Sequence, residues 1–209
     1  RAYVGPRTTV TAGSIDILAK DSESRATATT LIGSVAAVGV SVVDSSAKVS
    51  RATEAFLGHD ANLILGGGAL TLTAWSPQVR AVSTTRGFTG GALADVAVFS
   101  TFAFIGDDTI FLPSLGGPGA YAGQGDNFTA GRATKGTRSV TRAFVDNDVT
   151  VGAGNVLLDA DSDAETTSTI RHAGIGGFAS ISVAEVNAVT EQDTEAFVGD
   201  RGSINLGGT

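Results

Sequence analysis

The chain contains no cysteine and no methionine. Without Cys there is no disulfide, no thiol nucleophile and no Cys-bound metal, a composition that suits an exported protein. Met is missing even at position 1, and the sequence stops at GSINLGGT partway through a repeat. It therefore reads as a segment of something longer, in which a signal peptide would be invisible. Positive charge is in deficit: 14 Lys and Arg stand against 21 Asp and Glu, a net charge of −7. That excludes a nucleic-acid partner, which needs a basic face. The one basic cluster, Arg132, Lys135, Arg138 and Arg142, lies among Gly and Thr without aromatics and reads as solvated charge. Long apolar runs are also missing. LIGSVAAVGVSVV and ALADVAVFSTFAFIG are shorter than ~18 residues or carry Ser, Thr and Asp, so no membrane span is expected.

Catalytic motifs are equally scarce. No G-x-S-x-G elbow occurs, and GGGAL lacks the lysine of a phosphate-binding loop. His59 and His172 are the only histidines and read as incidental. Trp75, the sole tryptophan, reads as a half-buried strand-end aromatic, with stacking on a sugar as its functional alternative. NFT at Asn127 is a formal glycosylation acceptor.

What is present is repetition. TEAFLG (Thr53 to Gly58) returns as TEAFVG (Thr194 to Gly199), and RAYVG, AFIGDD and RAFVDND are related words at Arg1, Ala103 and Arg142. Tyr3, Phe56, Phe104, Phe144 and Phe197 mark the copies, at intervals of 53, 48, 40 and 53 residues. The first and fourth units align without a gap, and the second carries two extra residues around GGGALTLTA. The units so defined run approximately 1–53, 54–101, 102–141 and 142–194, with the start of another at 195–209. Self-similarity at a fixed period is the mark of a quasi-linear array. The third unit departs most, through the Gly- and Pro-rich stretch Phe111 to Gly131.

Within the units apolar residues alternate. Ile15, Ile17 and Ala19 lie two apart, as do Leu70, Leu72 and Ala74, and Val40 and Val42. FASISVAEV sets Ala179, Ile181, Val183 and Glu185 on one face, read as the inward one. A period of two indicates strands, and the Thr and Ser partners favour them too. Short strands with one apolar face bury it by stacking, so the expected fold is all-β: a repetitive β-solenoid, or parallel β-helix, with a 53-residue unit forming about two rungs. The alternative is a stack of long antiparallel β-hairpins folded about Gly33.

The cadence of RAYVG…TVTAGSIDILA, TEAFLG…GGGALTLTA and RAFVDNDVTVGAGNVLLDA…TEAFVG resembles the repeats of very large bacterial surface proteins, the filamentous-haemagglutinin-like and leukotoxin-like filamentous adhesins. The resemblance covers three of the four units; the third, with Pro113 and Pro118, departs from it. It implies a non-catalytic, extracellular shaft of an adhesin or surface filament. The implied partners are further copies end to end, or continuation of a longer chain, and surface glycans. No cofactor is expected, with calcium the one candidate. Its ligands would be Asp146 and Asp148 in the DNDV turn, or Asp159, Asp161 and Asp163 on alternate positions of DADSDAE; GDD (Gly106 to Asp108) is a similar turn. Neighbouring carboxylates of DADSDAE would stand ~6.5–7 Å apart on one strand face, which also fits a glycosidase pair. The first unit has Leu18, Lys20, Ser22 and Ser24 at those places, which reads as a variable solvent face. The functional alternatives are thus a β-helical polysaccharide-active enzyme and a calcium-stabilised glycan-binding module.

Overall fold

The computed structural model describes residues 1–106 and 139–207. Among them there are thirteen strands and no helix: β1 (Ala2–Val4), β2 (Thr9–Thr11), β3 (Ile15–Lys20), β4 (Ser24–Val49), β5 (Ala52–Leu57), β6 (Asn62–Ile64), β7 (Ala69–Ile105), β8 (Ser139–Val145), β9 (Thr150–Ala153), β10 (Asn155–Gly176), β11 (Ala179–Thr190), β12 (Gln192–Val198) and β13 (Ser203–Leu206). The expected all-β class is therefore observed. Every strand pairing among the described residues is parallel, so the antiparallel hairpin stack is not what forms.

Strands adjacent in sequence do not pair with each other. Each pairs with its counterpart one repeat away. The first sheet runs β1-β5-β8-β12 and the second β2-β6-β9-β13. In the third, β7 lies between β3 and β4 on one side and β10 and β11 on the other. The chain thus makes a first layer with β1–β4, a second with β5–β7, a third with β8–β11, and begins a fourth with β12 and β13. Tyr3 pairs with Phe56, Phe56 with Phe144, and Phe144 with Phe197. A 53-residue unit is one layer, not two rungs. The expectation of two underestimated how long the strands run: β4 spans 26 residues and β7 spans 37.

Phe104 stands outside this column. It pairs with Lys48 and Val189 near the end of β7, so the intervals of 48 and 40 residues join into one step between the second and third layers. Its resemblance to a marker is confined to the letters around it.

Two corners set the layer geometry. At the first, Arg7, Asp60, Asp148 and Arg201 occupy the same turn in successive layers, all with positive φ (55°, 57°, 59° and 58°). Asp tolerates this left-handed conformation; the two arginines adopt it without that advantage. The second corner demands glycine. A Cβ on Gly68 would lie 1.4 Å from the carbonyl oxygen of Gly13, and one on Gly154 would lie 2.1 Å from that of Gly67. Layers approach there backbone to backbone, and the two extra residues of GGGALTLTA are absorbed at this bend, where the register shifts from Thr11↔Ile64 to Ile15↔Leu70.

The main core lies between the short strands and the start of the long ones. Leu57, Leu63, Leu70, Leu72, Val145 and Val151 are fully buried there, with Ala55, Ala74 and Ala143 filling the narrow gaps. Burying each large side chain contributes about 1.5–3 kcal/mol. The alternations read at Ile17–Ala19 and Leu70–Ala74 point inward as expected. Beyond this core the long strands form an arm. The register slips between Ala36 and Val38, and the third layer breaks between Gly176 and Ala179. The limb after this bend returns along the limb before it, so Val79 and Ala81 pack with Ala103 and Ile105, and Thr101 Oγ1 donates to Ser83 Oγ at 2.7 Å.

On the returning limb the face assignment reverses the expected one. Val183 pairs with Val98 and Val42 through β7, and all three point outward; Val183 is 47% exposed and Val42 58%. The inward positions belong to Ser41 and Ala97. Next to them Val43 and Phe99 also point inward and pack with Ile32 and Ile170, so the inner face here combines polar contacts with a small apolar cluster.

Candidate functional site

The residues that repeat most faithfully meet on the outer side of the first sheet. Because strands pair parallel and in register, equal positions stand one above another. Ala55 and Ala143 point inward and are fully buried. The marker aromatics point outward and stack: Tyr3 on Phe56 at 4.9 Å, Phe56 on Phe144 at 4.9 Å, Phe144 on Phe197 at 5.0 Å, with interplanar angles of 6°, 4° and 3°. Beside them runs a column of alternating charge. Arg1 Nε lies 2.6 Å from a carboxylate oxygen of Glu54, and Arg142 Nε 3.0 Å from one of Glu195, with Asp193 3.9 Å from the same guanidinium. Glu54 pairs in register with Arg142, so the signs run plus, minus, plus, minus. Both columns tie layer to layer.

A third tie closes the first corner. The guanidinium of Arg201 grips both carboxylate oxygens of Asp148 at 2.6 Å. Hydrogen bonding to Arg201 is the chief cause that holds the Asp148 carboxyl below its usual range, and the same bond raises Arg201. Asp146 Oδ1 accepts the backbone N–H of Asn147 at 2.8 Å, which stabilises the turn itself. The two turn candidates for calcium are thus engaged in protein contacts. Asp159, Asp161 and Asp163 project outward from β10, exposed, and the residues registered against the first two are Thr73 and Trp75. No cluster of three or more His, Asp or Glu able to hold a metal occurs among the described residues. Trp75 carries the Lys20 ammonium 4.2 Å from its ring centroid, so one ring face is occupied.

Two polar clusters escaped the sequence reading. Arg51 lies where the main core meets the arm, its side chain 7% exposed. It donates to Asp21 Oδ2 at 3.2 Å, Thr53 Oγ1 at 3.0 Å, Ser162 Oγ at 3.1 Å and also to Ser76 Oγ, and so touches the first three layers. Burial lowers its pKa, while Asp21 opposes that shift. Near the arm tip, Thr89 Oγ1 donates to Asp95 Oδ2 at 2.5 Å and lies 2.9 Å from Nε2 of His172. Phe99 packs 4.4 Å from the His172 ring. His172, read as incidental, is therefore an interlayer contact. Its partners Thr89 and Phe99 are 83 and 73 positions away, and nothing in the local sequence signals them. Arg132, Lys135, Arg138, Asn127, Pro113, Pro118, Asp107, Asp108 and the stretch Phe111 to Gly131 lie outside the described residues.

Among the described residues no helix is long and apolar enough to cross a membrane. Comparison with protein families, with curated proteins and with solved structures finds no match.

Proposed function

We propose that this chain forms part of a β-solenoid shaft in an extracellular repetitive adhesin or surface filament, and that its role is mechanical rather than catalytic. One observation carries the reading: same-phase residues of successive repeats stand in register along parallel sheets, and the ties between them join neighbouring layers. Such a stack extends by adding units without redesigning the core. The adhesin cadence of RAYVG, TEAFLG and TEAFVG supports the extracellular setting, and the absence of Cys suits it. Partners at the stack ends are further layers, supplied by continuation of the chain or by another copy, since a parallel edge accepts a matching edge. Surface glycans are the ligand class for whatever such a shaft displays.

The test is growth in one dimension. Ten in-frame copies of residues 139–191 inserted after position 191, with Arg142→Glu in every other copy beginning with the first so that the charged column still alternates, should lengthen the particle by about 48 Å. Small-angle scattering should show an unchanged cross-section. Growth in cross-section instead of length would overturn the shaft.

A further inference from the structure

The distal end of the arm shows no charge to solvent. The first layer carries no charged residue between Arg25 and Asp44. Between Arg86 and the end of β7, and between Arg171 and Glu185, the only titratable side chains are Asp95 and His172. Asp95 is 1% exposed and accepts the Thr89 hydroxyl, which also meets the His172 ring. The surface of the tip is aliphatic and aromatic instead. Phe178 is 87% exposed, Val35 78%, Val40 69%, Ile175 66% and Leu93 54%. Val35 and Ile175 precede the bend, Leu93 and Phe178 lie on it, and Val40 follows it, so the apolar surface wraps a convex tip. Isolated exposed apolar residues are ordinary, whereas a contiguous patch of them marks a contact surface.

Two further features belong to the tip. The bend has backbone amides paired between layers: Gly177 N–H donates to the Gly91 carbonyl at 2.9 Å and Phe178 N–H to that of Leu93 at 3.3 Å. Set back on the outgoing limb, before the bend, Arg86 and Arg171 pair in register, both exposed and ~4.8 Å apart. Among the described residues no ion pair joins either one to a carboxylate. The other stacked arginines have one: Glu54 stands between Arg1 and Arg142, and Arg80 lies 3.5 Å from Glu165.

We propose that the arm tip docks on an anionic lipid surface, with its apolar bend at the boundary of headgroups and acyl chains and Arg86 and Arg171 at the lipid phosphates. Charge is the first argument. A pair of like-charged guanidiniums without a carboxylate partner is complementary to a layer of phosphate groups, each of which accepts two guanidinium hydrogen bonds. Dimension is the second. The bend lies five residues beyond Arg86, or ~17 Å at ~3.3 Å per residue. An interfacial element sinks about 5–10 Å into the acyl boundary. The arginine backbone then stands roughly 7–12 Å above that boundary, against a headgroup layer of about 5–8 Å. The long arginine side chains span the remainder by reaching toward the phosphates. Penetration stops there, because β4 on one side and β10 and β11 on the other present open backbone edges, which do not enter hydrocarbon. Each added layer sets another tip beside the last, so lipid contact strengthens with repeat number. The inference rests on the arm surface and not on the shaft reading, so its failure leaves the length test untouched.

Vesicles of phosphatidylcholine and phosphatidylglycerol in equal parts should cosediment the chain. Leu93→Asp with Phe178→Asp should weaken this at least roughly ten-fold, since two large apolar side chains lose their burial. Both positions are exposed, so circular dichroism should not change. Arg86→Gln with Arg171→Gln should weaken binding to the same vesicles roughly ten-fold and leave binding to pure phosphatidylcholine as it was. The chain has no native cysteine, so a bimane label on Leu93→Cys reports alone. Its emission should shift to the blue on the anionic vesicles, and the same label on Thr84→Cys, short of the arginines, should not shift. Absence of cosedimentation, indifference to the two aspartates or to the two glutamines, or equal shifts at positions 93 and 84 would overturn the proposal. So would self-association without vesicle binding that the aspartates abolish, since that outcome assigns the tip to a protein contact.

Discussion

Replacing Phe144 by Ala tests the aromatic column at its middle. The ring has a stacked neighbour on each side, Phe56 at 4.9 Å and Phe197 at 5.0 Å, whereas Tyr3 has only Phe56. A stacked pair contributes about 0.5–1.5 kcal/mol beyond the area it buries. Phe144→Ala forfeits two such couplings and the burial of a half-exposed ring, for a cost of about 2–4 kcal/mol, the upper part reaching the range for a core Phe. Tyr3→Ala loses one coupling from a ring already 59% exposed, and should cost about 0.5–1.5 kcal/mol. Double-mutant cycles separate stacking from burial. Phe56 and Phe144 should couple by about 0.5–1.5 kcal/mol, while Phe56 and Phe197, separated by a whole layer, should be additive within about 0.5 kcal/mol. Urea unfolding followed by far-ultraviolet circular dichroism supplies the energies, provided the slope with denaturant is constant across variants, because repeat stacks can lose cooperativity. Phe104 is an internal control: it is buried beside Phe102 and touches no ring of the column. Coupling of Phe104→Ala to Phe144→Ala as large as that of Phe56→Ala would refute the register.

Two further outcomes follow from the corners. Gly68→Ala should destabilise by about 3 kcal/mol or more, or block folding, since its Cβ would stand 1.4 Å from a backbone oxygen; Gly33→Ala, which meets nothing within 4 Å, should shift the melting temperature little, and equal shifts would refute the corner argument. The Asp148 carboxyl is depressed in the folded state, so its pairing with Arg201 contributes stability above the unfolded carboxylate value of about 3.9 and loses it as pH falls through the lower folded value. Asp148→Asn should therefore flatten the acid limb of stability against pH without altering its slope near neutrality, and an unchanged acid limb would show that the pair does not form in solution.

The strand class and the apolar core were legible because both depend on local pattern. Leu70, Leu72 and Ala74 alternate, and the alternation is what buries them. The repeat was legible from TEAFLG and TEAFVG, since a stacked column favours the same residue in each copy; that each unit makes one layer was not, because nothing local signals strands as long as β4 and β7. The faces of the arm were not. Reading apolar as inward put Val183 inside, but in a space two limbs wide the inner face is decided by Phe99, by the Thr89–Asp95 bond and by glycines opposite them, all contacts across the bend. Arg51 was illegible for the same reason. A single Arg beside a repeat word looks like surface charge, and only the stacked chain brings Asp21, Ser76 and Ser162 around it. Phe104 shows the converse failure, in which a local word imitates a marker without its register.

The variation inside the repeated word has the same physical origin as its constancy. Across the four layers the word reads RAYVG, TEAFLG, TRAFVD and TEAFVG. The alanine does not change, because the inward gap between layers admits only a small side chain there. The aromatic changes only from Tyr to Phe, because each ring must lie flat on the next. The charged position changes every time, from Arg1 to Glu54 to Arg142 to Glu195. In a parallel stack each residue stands ~4.8 Å from its own counterpart, so a repeated charge would face itself in every layer. In these half-buried surroundings that repulsion amounts to about 3 kcal/mol before screening. Alternation turns the same proximity into attraction, as the 2.6 Å and 3.0 Å contacts record. Uncharged positions are thus free to repeat, and this half-buried charged one is driven to alternate, whereas exposed charges repeat: Arg25 pairs in register with Arg80, and Arg86 with Arg171. The first corner obeys the rule only in part: Asp60 and Asp148 are successive like charges, and Arg201 pairs with Asp148 from the other side. A column of alternating sign also fixes order. A layer displaced by one repeat would set Arg on Arg and Glu on Glu while leaving every alanine and aromatic satisfied. The apolar columns hold the layers together, and the charged column makes one stacking sequence preferred over its neighbours.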